Sequence, residues 1–285
     1  MAINRLTVIY LSPEPIKTAM KTRIISIMLV AAFILTQCKT QKQFQITDLH
    51  VHLKGGFTMA DAVKKSADEK IKYGIAFNCG LKFPIHSDSQ IDSVVQIMKD
   101  YPQFYMAMQA EGREWVNMFS KESREKFDYV FTDAMTFTDD KGRRNRIWMK
   151  DETFIDDETE FMDHYVATIV KIMTEEPINI YVNPTYLPAQ MANRYDQFWT
   201  VERMDKVINA AKANHIAIEI NNRYKIPSIQ FIERAHKAGV LFTVGTNNAD
   251  ANFSGAPYAL EAISKCGLTE KDFWLPVNKR ANGQL

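Results

Sequence analysis

The chain has 285 residues, 46% of them hydrophobic, enough to bury a sizeable core in one large domain or two small ones. Its 35 Lys and Arg nearly match its 34 Asp and Glu, and a formal charge of +1 excludes a global polyanion-binding surface. Nucleic acid is therefore not an expected partner, and any charged ligand has to be read locally.

The first stretch, "MAINRLTVIYLSPEPIKTA", precedes a methionine that opens a well-formed signal, so residues 1–19 read as an extension outside the native chain. From Met20 a basic start leads into an apolar run over residues 24–35, too short to span a bilayer comfortably and typical of a secretory leader. Residues 20–37 are read as a signal peptide, because Leu35-Thr36-Gln37-Cys38 resembles the lipobox of bacterial lipoproteins, with Gln37 departing from the usual small residue. That resemblance implies a lipid on Cys38, a polar tether over residues 38–44, and a membrane-anchored place in the cell envelope. Cys79 and Cys266 remain, and their spacing reads as two free thiols.

From residue 45 onward, short apolar runs alternate with longer segments of helical period. Strands are expected at 45–53, 73–78, 104–111, 129–137, 178–183, 216–221 and 241–245, and helices at 59–70, 90–100, 157–175, 201–214, 228–238 and 257–266. This order implies right-handed crossovers and a mainly parallel sheet, open and doubly wound or closed as a barrel. "HLKGGFTMADA" has neither dinucleotide nor P-loop spacing, and no linker divides residues 45–285, so one α/β barrel-like domain is the economical reading.

Every expected strand ends in polar residues, as a ligand site at the C-terminal mouth of a parallel barrel would require. In order they are Asp48, His50 and His52; Asn78; Glu111; Asp133; Asn183; Glu219, Asn221 and Asn222; and Asn247, Asn248 and Asp250. In "ITDLHVHLKGG" the side chains two apart share a face, so Asp48, His50 and His52 point to the axis while Leu49, Val51 and Leu53 point to the covering helices. Two imidazoles near a rim can ligate one divalent cation, with a carboxylate below fixing the tautomer of one of them; a hydrogen-bonded pair of core histidines is the alternative.

"TDLHVH" resembles the first motif of the PHP family, the polymerase and histidinol phosphatase domain of metal-dependent phosphoesterases. The similarity continues through "QAEGREW", "FDYVF", "AAKANHIAIEINNRYKIPSIQFIERAHKAGVLFTVGT" and "CGLTEKDFW". It implies a distorted (β/α)7 TIM-like barrel and makes Glu111 a metal ligand beside His50 and His52. Four departures stand against a full trinuclear centre. Phe77-Asn78-Cys79 stands for Thr-Asp-His, Asp133-Ala134-Met135 for Ser-x-His, Asn183-Pro184 for His-Pro, and Thr246-Asn247-Asn248-Ala249 for Ser-Asp-x-His. Asparagine offers a neutral carbonyl oxygen, a poor replacement for imidazole toward zinc.

The function expected from the resemblance is thus an envelope-anchored hydrolase acting on a phosphoester or related polar ester. A divalent ion (Zn, Mn or Fe), fewer than three per chain, would be held by His50, His52, Glu111 and Asp250 with Asp48 behind. Arg113 and Arg223 would neutralise developing charge, and Arg143, Arg144 and Arg146 on the long connection after the fourth strand could act as a lid. Asn78, Asn183, Asn221, Asn247 and Asn248 would orient a small phosphorylated or sugar-like substrate, with Tyr186 stacking on it. Two alternatives stand beside this. A barrel that has lost catalysis would bind a metabolite or glycan fragment at the same rim, and an amidohydrolase-type enzyme would also begin with His-x-His but fits Asn183 and Glu219 less well.

Overall fold

The computed structural model describes residues 45–283; the expected extension, signal peptide, lipidated Cys38 and tether lie outside the described residues. In chain order the strands are β1 (Thr47–Val51), β2 (Lys72–Gly80), β3 (Tyr105–Glu111), β4 (Tyr129–Thr132), β5 (Thr136–Thr138), β6 (Arg144–Arg146), β7 (Ile180–Tyr181), β8 (Ala217–Asn221) and β9 (Phe242–Gly245). Seven of them close a barrel in the order β1-β2-β3-β4-β7-β8-β9, and β9 returns to β1 through the pair Asp48 and Val244. Every barrel pairing is parallel. The expected (β/α)7 TIM-like barrel is thus the fold of this domain. Cys79 and Cys266 both carry free thiols.

The helices between the strands begin where short polar side chains can accept the first free backbone N–H groups. In α1 (Met59–Glu69) Thr58 and Asp61 form a reciprocal capping box, and in α3 (Glu158–Glu175) the Asp157 carboxylate accepts from the N–H groups of Thr159 and Glu160. Thr200 and Ser228 do the same for α4 (Val201–Ala213) and α5 (Ile229–Ala238). Asp157 and Ser228, read as helical from the sequence, are therefore caps. The remaining long helices are α2 (Asp88–Met98) and α6 (Pro257–Cys266), the latter with proline where no N–H is needed. The apolar stripe Phe161, Tyr165, Val166, Ile169 and Ile172 of α3 is buried, as its spacing requires.

Two local expectations are corrected. The strand read as 129–137 stops at Thr132, and the chain resumes at Thr136 as one arm of an antiparallel hairpin, β5-β6. The break falls at Asp133, whose Oδ1 accepts from the Met135 N–H at 2.9 Å, so a side chain takes a donor that a continuing strand would give to a neighbour. In β1 the alternation is not strict: the register against β2 shifts between Asp48 and Val51, and Leu49 joins the central apolar cluster instead of turning to the helices. An irregularity re-aims successive side chains, which allows Leu49 and His50 to pack around one interior.

The interior is layered. The central cluster includes Ala76 of β2, Tyr105 and Ala107 of β3, Tyr129 and Phe131 of β4, and Ala217 of β8. Two residues further along stand Asn78, Gln109 and Glu219 on their strands, and Asp133 just past the end of β4. With a period of two these share the inward face, so each strand passes from an apolar lower position to a polar upper one. Gly74 is required by a close approach: a Cβ there would lie 1.9 Å from the Tyr129 hydroxyl, which donates to the Leu49 carbonyl at 2.6 Å.

Candidate active site at the barrel mouth

The polar upper layer is held together by Glu219. One carboxylate oxygen, Oε1, lies 2.6 Å from His50 Nδ1, and the other accepts from the Asn183 N–H at 2.8 Å and from Asn221 Nδ2 at 2.9 Å. A carboxylate can only accept, so Nδ1 is the donor of this pair, and in the neutral tautomer that it fixes the lone pair lies on Nε2. Nε2 is buried and has no hydrogen-bond partner. Gly245 makes room for this pair, because a Cβ there would stand 1.9 Å from Glu219 Oε1 and 2.8 Å from His50 Cβ.

Asn183 is the hub beside it. Its Oδ1 accepts from Asn221 Nδ2 at 2.9 Å and Asn247 Nδ2 at 3.1 Å, while its Nδ2 donates to Asp133 Oδ2 at 2.8 Å. Asn183 and Asn247 have φ of 50° and 45°, in the left-handed region that asparagine tolerates better than most residues. Asn248 accepts from the His52 N–H at 2.7 Å and donates to the His52 carbonyl at 2.9 Å, fixing the end of β1. The asparagines expected to face a substrate thus use these amides on one another, on carboxylates and on the backbone.

A second carboxyl pair lies in the same layer. Glu111 Oε1 accepts from Asn78 Nδ2 at 2.7 Å and Gln109 Nε2 at 2.9 Å. Burial, and then the neighbouring Asp133, push the Glu111 carboxyl up to about 8, against the Asn78 bond and the charges of Arg113 and Lys54. Burial also raises Asp133. Two carboxyl groups that feel each other in a dry site do not both ionise readily, so near neutrality one proton stays on the pair. Asp48 lies deeper, where burial pushes it up to about 6 against bonds from Thr246 and the His50 N–H, and its Oδ2 has no partner. Burial, followed by the nearby His50 and Lys54, holds the His52 imidazole well below its usual range, so that ring is neutral. The two rings meet edge to face, with centroids 5.0 Å apart.

Among the described residues, no group of three or more His, Cys, Asp or Glu side chains is arranged to hold a metal ion. His50 gives Nδ1 to Glu219, Glu111 gives Oε1 to two amides, and Asp250 is exposed with its Oδ1 accepting from the Asn252 N–H at 2.7 Å. Of the expected ligand set, Asp250 is thus turned to its own loop, whereas His50 keeps Nε2 clear of protein partners with Nδ1 held by a carboxylate, an orientation compatible with ligation.

The expected rim cations separate. Arg113 pairs with Glu176 at 2.8 Å and donates to Thr132 Oγ1 and the Asp133 carbonyl, both at 2.8 Å, so it braces the rim from behind instead of facing a ligand. Arg143 pairs with Asp139 and Asp156, Arg144 with Glu114 and Arg146 with Glu152, so each arginine of the hairpin is neutralised by a carboxylate within it or in a neighbouring segment. Arg223 is exposed at the mouth, its guanidinium 5.1 Å from the Tyr224 ring, and Tyr224 meets Tyr186 edge to face at 4.9 Å. His86 is exposed in its loop, with Nδ1 near the Phe83 carbonyl, away from the network.

Sequence reading missed Gln109, Tyr224 and Lys54, and counted Glu219 among the strand ends without giving it a role. Gln109 was legible as the residue two before Glu111 on the same face. Lys54 had only the Lys-Gly-Gly after the second imidazole to mark it.

No family model matches the chain, and no curated protein matches it. Among solved structures, a chain from a cryo-EM structure of archaeal ribonuclease P with mature tRNA is similar over 85% of this chain and 87% of that chain, with 14% sequence identity and a TM-score of 0.39.

Proposed function

We propose that the domain is a hydrolase of small polar esters, phosphoesters included, acting at the barrel mouth through His50 as general base and Glu111 as general acid. The observation that carries this reading is the His50 ring itself, fixed by Glu219 through Nδ1 while its buried Nε2 has no protein partner. An unmatched polar atom in a dry site costs stability, so its retention at the focus of a polar layer argues for a reacting group.

In this mechanism Nε2 takes a proton from a water molecule as that water attacks the phosphorus or carbonyl carbon of the ester. The imidazolium so formed is stabilised by Glu219, which already accepts from Nδ1. The bond to the leaving alcohol breaks as Glu111, held protonated near neutrality by burial and Asp133, gives up its proton to that oxygen. Transfer of the extra proton from His50 back to Glu111 through solvent resets both groups. Asn78 and Gln109 orient Glu111, and Asn183 positions Glu219 and Asp133 together. Each proton transfer in this scheme runs between protein groups, water and substrate.

The test is hydrolysis of p-nitrophenyl phosphate and p-nitrophenyl acetate by the full chain and by His50→Gln, each with and without chelator. The expected result is turnover of one of them that collapses in the variant and survives chelation. Equal rates in wild type and variant would remove His50 from the chemistry, and loss of activity on chelation would restore the metal-dependent form of the hydrolase. A barrel that binds without turnover is the second reading, favoured by the amides at strand ends where imidazoles would be needed. It predicts no hydrolysis alongside saturable binding of a small ligand.

A further inference from the structure

Among the described residues every arginine but two pairs with a carboxylate. One exception is Arg124, which donates to the Val116 carbonyl beside the Trp115 ring on the outer side of the domain. The other is Arg223 at the mouth, whose only polar contact is a 3.5 Å approach of Nη1 to the Asn247 carbonyl.

The loop after β1 brings a second cation to the same rim. Gly55 packs against Ala249 and Asp250, so closely that a Cβ would stand 2.6 Å from the Ala249 carbonyl oxygen, and Asn248 grips His52 by both backbone groups. Lys54, between those two anchors, is therefore held beside the segment that Arg223 touches. Among the described residues no carboxylate lies within ion-pair distance of its ammonium; burial and then the Arg223 charge lower its pKa, against the more distant Glu111. Two like charges held on one rim with no ion-pair partner repel, and an anion placed between them removes that repulsion while gaining both attractions. The walls suit the same guest. Tyr186 and Tyr224 stand edge to face beside Arg223, and neither phenol makes a hydrogen bond to the described residues, which leaves two neutral donors free.

We propose that Lys54 and Arg223, with the hydroxyls of Tyr186 and Tyr224, form a receptor for an anionic group of the substrate, a phosphate or a carboxylate. This rests on the mouth being the reaction site, and it narrows the substrate to a polar ester carrying a negative charge. Arg223 offers a fork to two oxygens, whereas Lys54 acts as a point charge carried on the loop after β1.

The experiment is calorimetric titration of the full chain with inorganic phosphate and, separately, with acetate, repeated for Lys54→Met, Arg223→Met and His50→Gln. Lys54 and Arg223 are exposed, so their variants keep the fold. The expected result is binding of one anion that weakens about tenfold in each cation variant, as for loss of one charge-assisted hydrogen bond, and changes less than about twofold in His50→Gln. The tighter of the two anions identifies the group. Added salt should narrow the gap between wild type and variants. Binding of neither anion, or equal binding in wild type and both cation variants, overturns the receptor. The two claims fail separately. Retained hydrolysis in His50→Gln with anion binding that follows Lys54 and Arg223 defeats the mechanism alone, whereas abolished hydrolysis with unchanged anion binding in the cation variants defeats the receptor alone.

Discussion

The lower end of the barrel and its mouth bury carboxyl groups on the same strands in opposite ways. At the lower end Asp128, one residue before β4, accepts from the Met106 N–H at 2.7 Å, from Arg280 Nη2 at 2.8 Å and from the Lys279 N–H at 2.8 Å. The C-terminal segment that supplies two of these donors also sends Trp274 against the central cluster, its N–H on the Phe242 carbonyl at 2.8 Å, and Asn278 onto the Pro102 and Phe104 carbonyls. At the mouth, Glu111 and Asp133 face each other with amides as their main partners, Asp48 keeps an unmatched oxygen, and His50 keeps an unmatched nitrogen. The lower carboxylate is satisfied and fastens the chain end, although Arg280 itself leaves Nε and Nη1 without protein partners. The upper carboxyls have fewer charged partners than the lower one, at a cost in stability, and under the proposed function Glu111 is a reacting group. The difference teaches where to look for chemistry: not at buried charge as such, but at buried charge without a full set of partners.

That contrast breaks most sharply in substitutions at the two ends. Asp128→Ala strands Arg280 in a site where the two side chains are 2% and 0% exposed, and should cost about 3–5 kcal/mol in chemical denaturation while the folded fraction keeps its rate per molecule. An unchanged denaturation midpoint would show that the lower clasp does not hold the barrel. His50→Gln should do the reverse, lowering hydrolysis by roughly 10²- to 10⁴-fold, the range for loss of a general base, with the far-ultraviolet spectrum of wild type.

Glu111→Gln sharpens the comparison through pH. The Glu111 carboxyl is raised from its ordinary 4.5 to about 8, so the native state holds this proton more tightly than the unfolded chain does. Its contribution is complete below about pH 4.5 and is lost as pH rises through about 8. Wild type should therefore lose stability across that window, and the glutamine variant should lose less, ending about 1–3 kcal/mol the more stable above pH 8. Parallel stability curves would mean that Glu111 is not poised as described. Gly245→Ala pushes a Cβ into Glu219 and His50 and should lower the hydrolysis rate about tenfold, an effect of misplacement read as a fall in kcat. The smallest change is expected from chelation followed by addition of zinc or manganese, which should alter the rate less than about twofold.

How far the sequence reached depends on the range of the forces involved. Period-two and helical apolar patterns are local, and they placed the seven barrel strands and the long helices within a few residues, together with the polar mouth. They failed at 129–137, where the Asp133 side chain competes for a backbone donor, and at Leu49, where a register shift moves a side chain across the sheet. Within the site, His50, Glu111 and Asn183 were legible because they close strands whose C-termini must converge. The partners were not. That Glu219 takes His50 Nδ1 across a sequence separation of 169, or that Arg113 turns to Glu176, is invisible to any local pattern.

The sequence by itself determined a mainly parallel α/β sheet, open or closed, the inward face of most strands and the end at which polar groups gather, because alternation and chain order are local. The barrel came from the resemblance, and its closure is seen only in the tertiary structure. Only the tertiary structure decided which polar groups satisfy one another and which are left open, because that outcome depends on distances of a few tenths of an ångström between residues remote in the chain. Among the described residues that pairing leaves Nε2 of His50 without a hydrogen-bond partner and Lys54 and Arg223 without an ion pair.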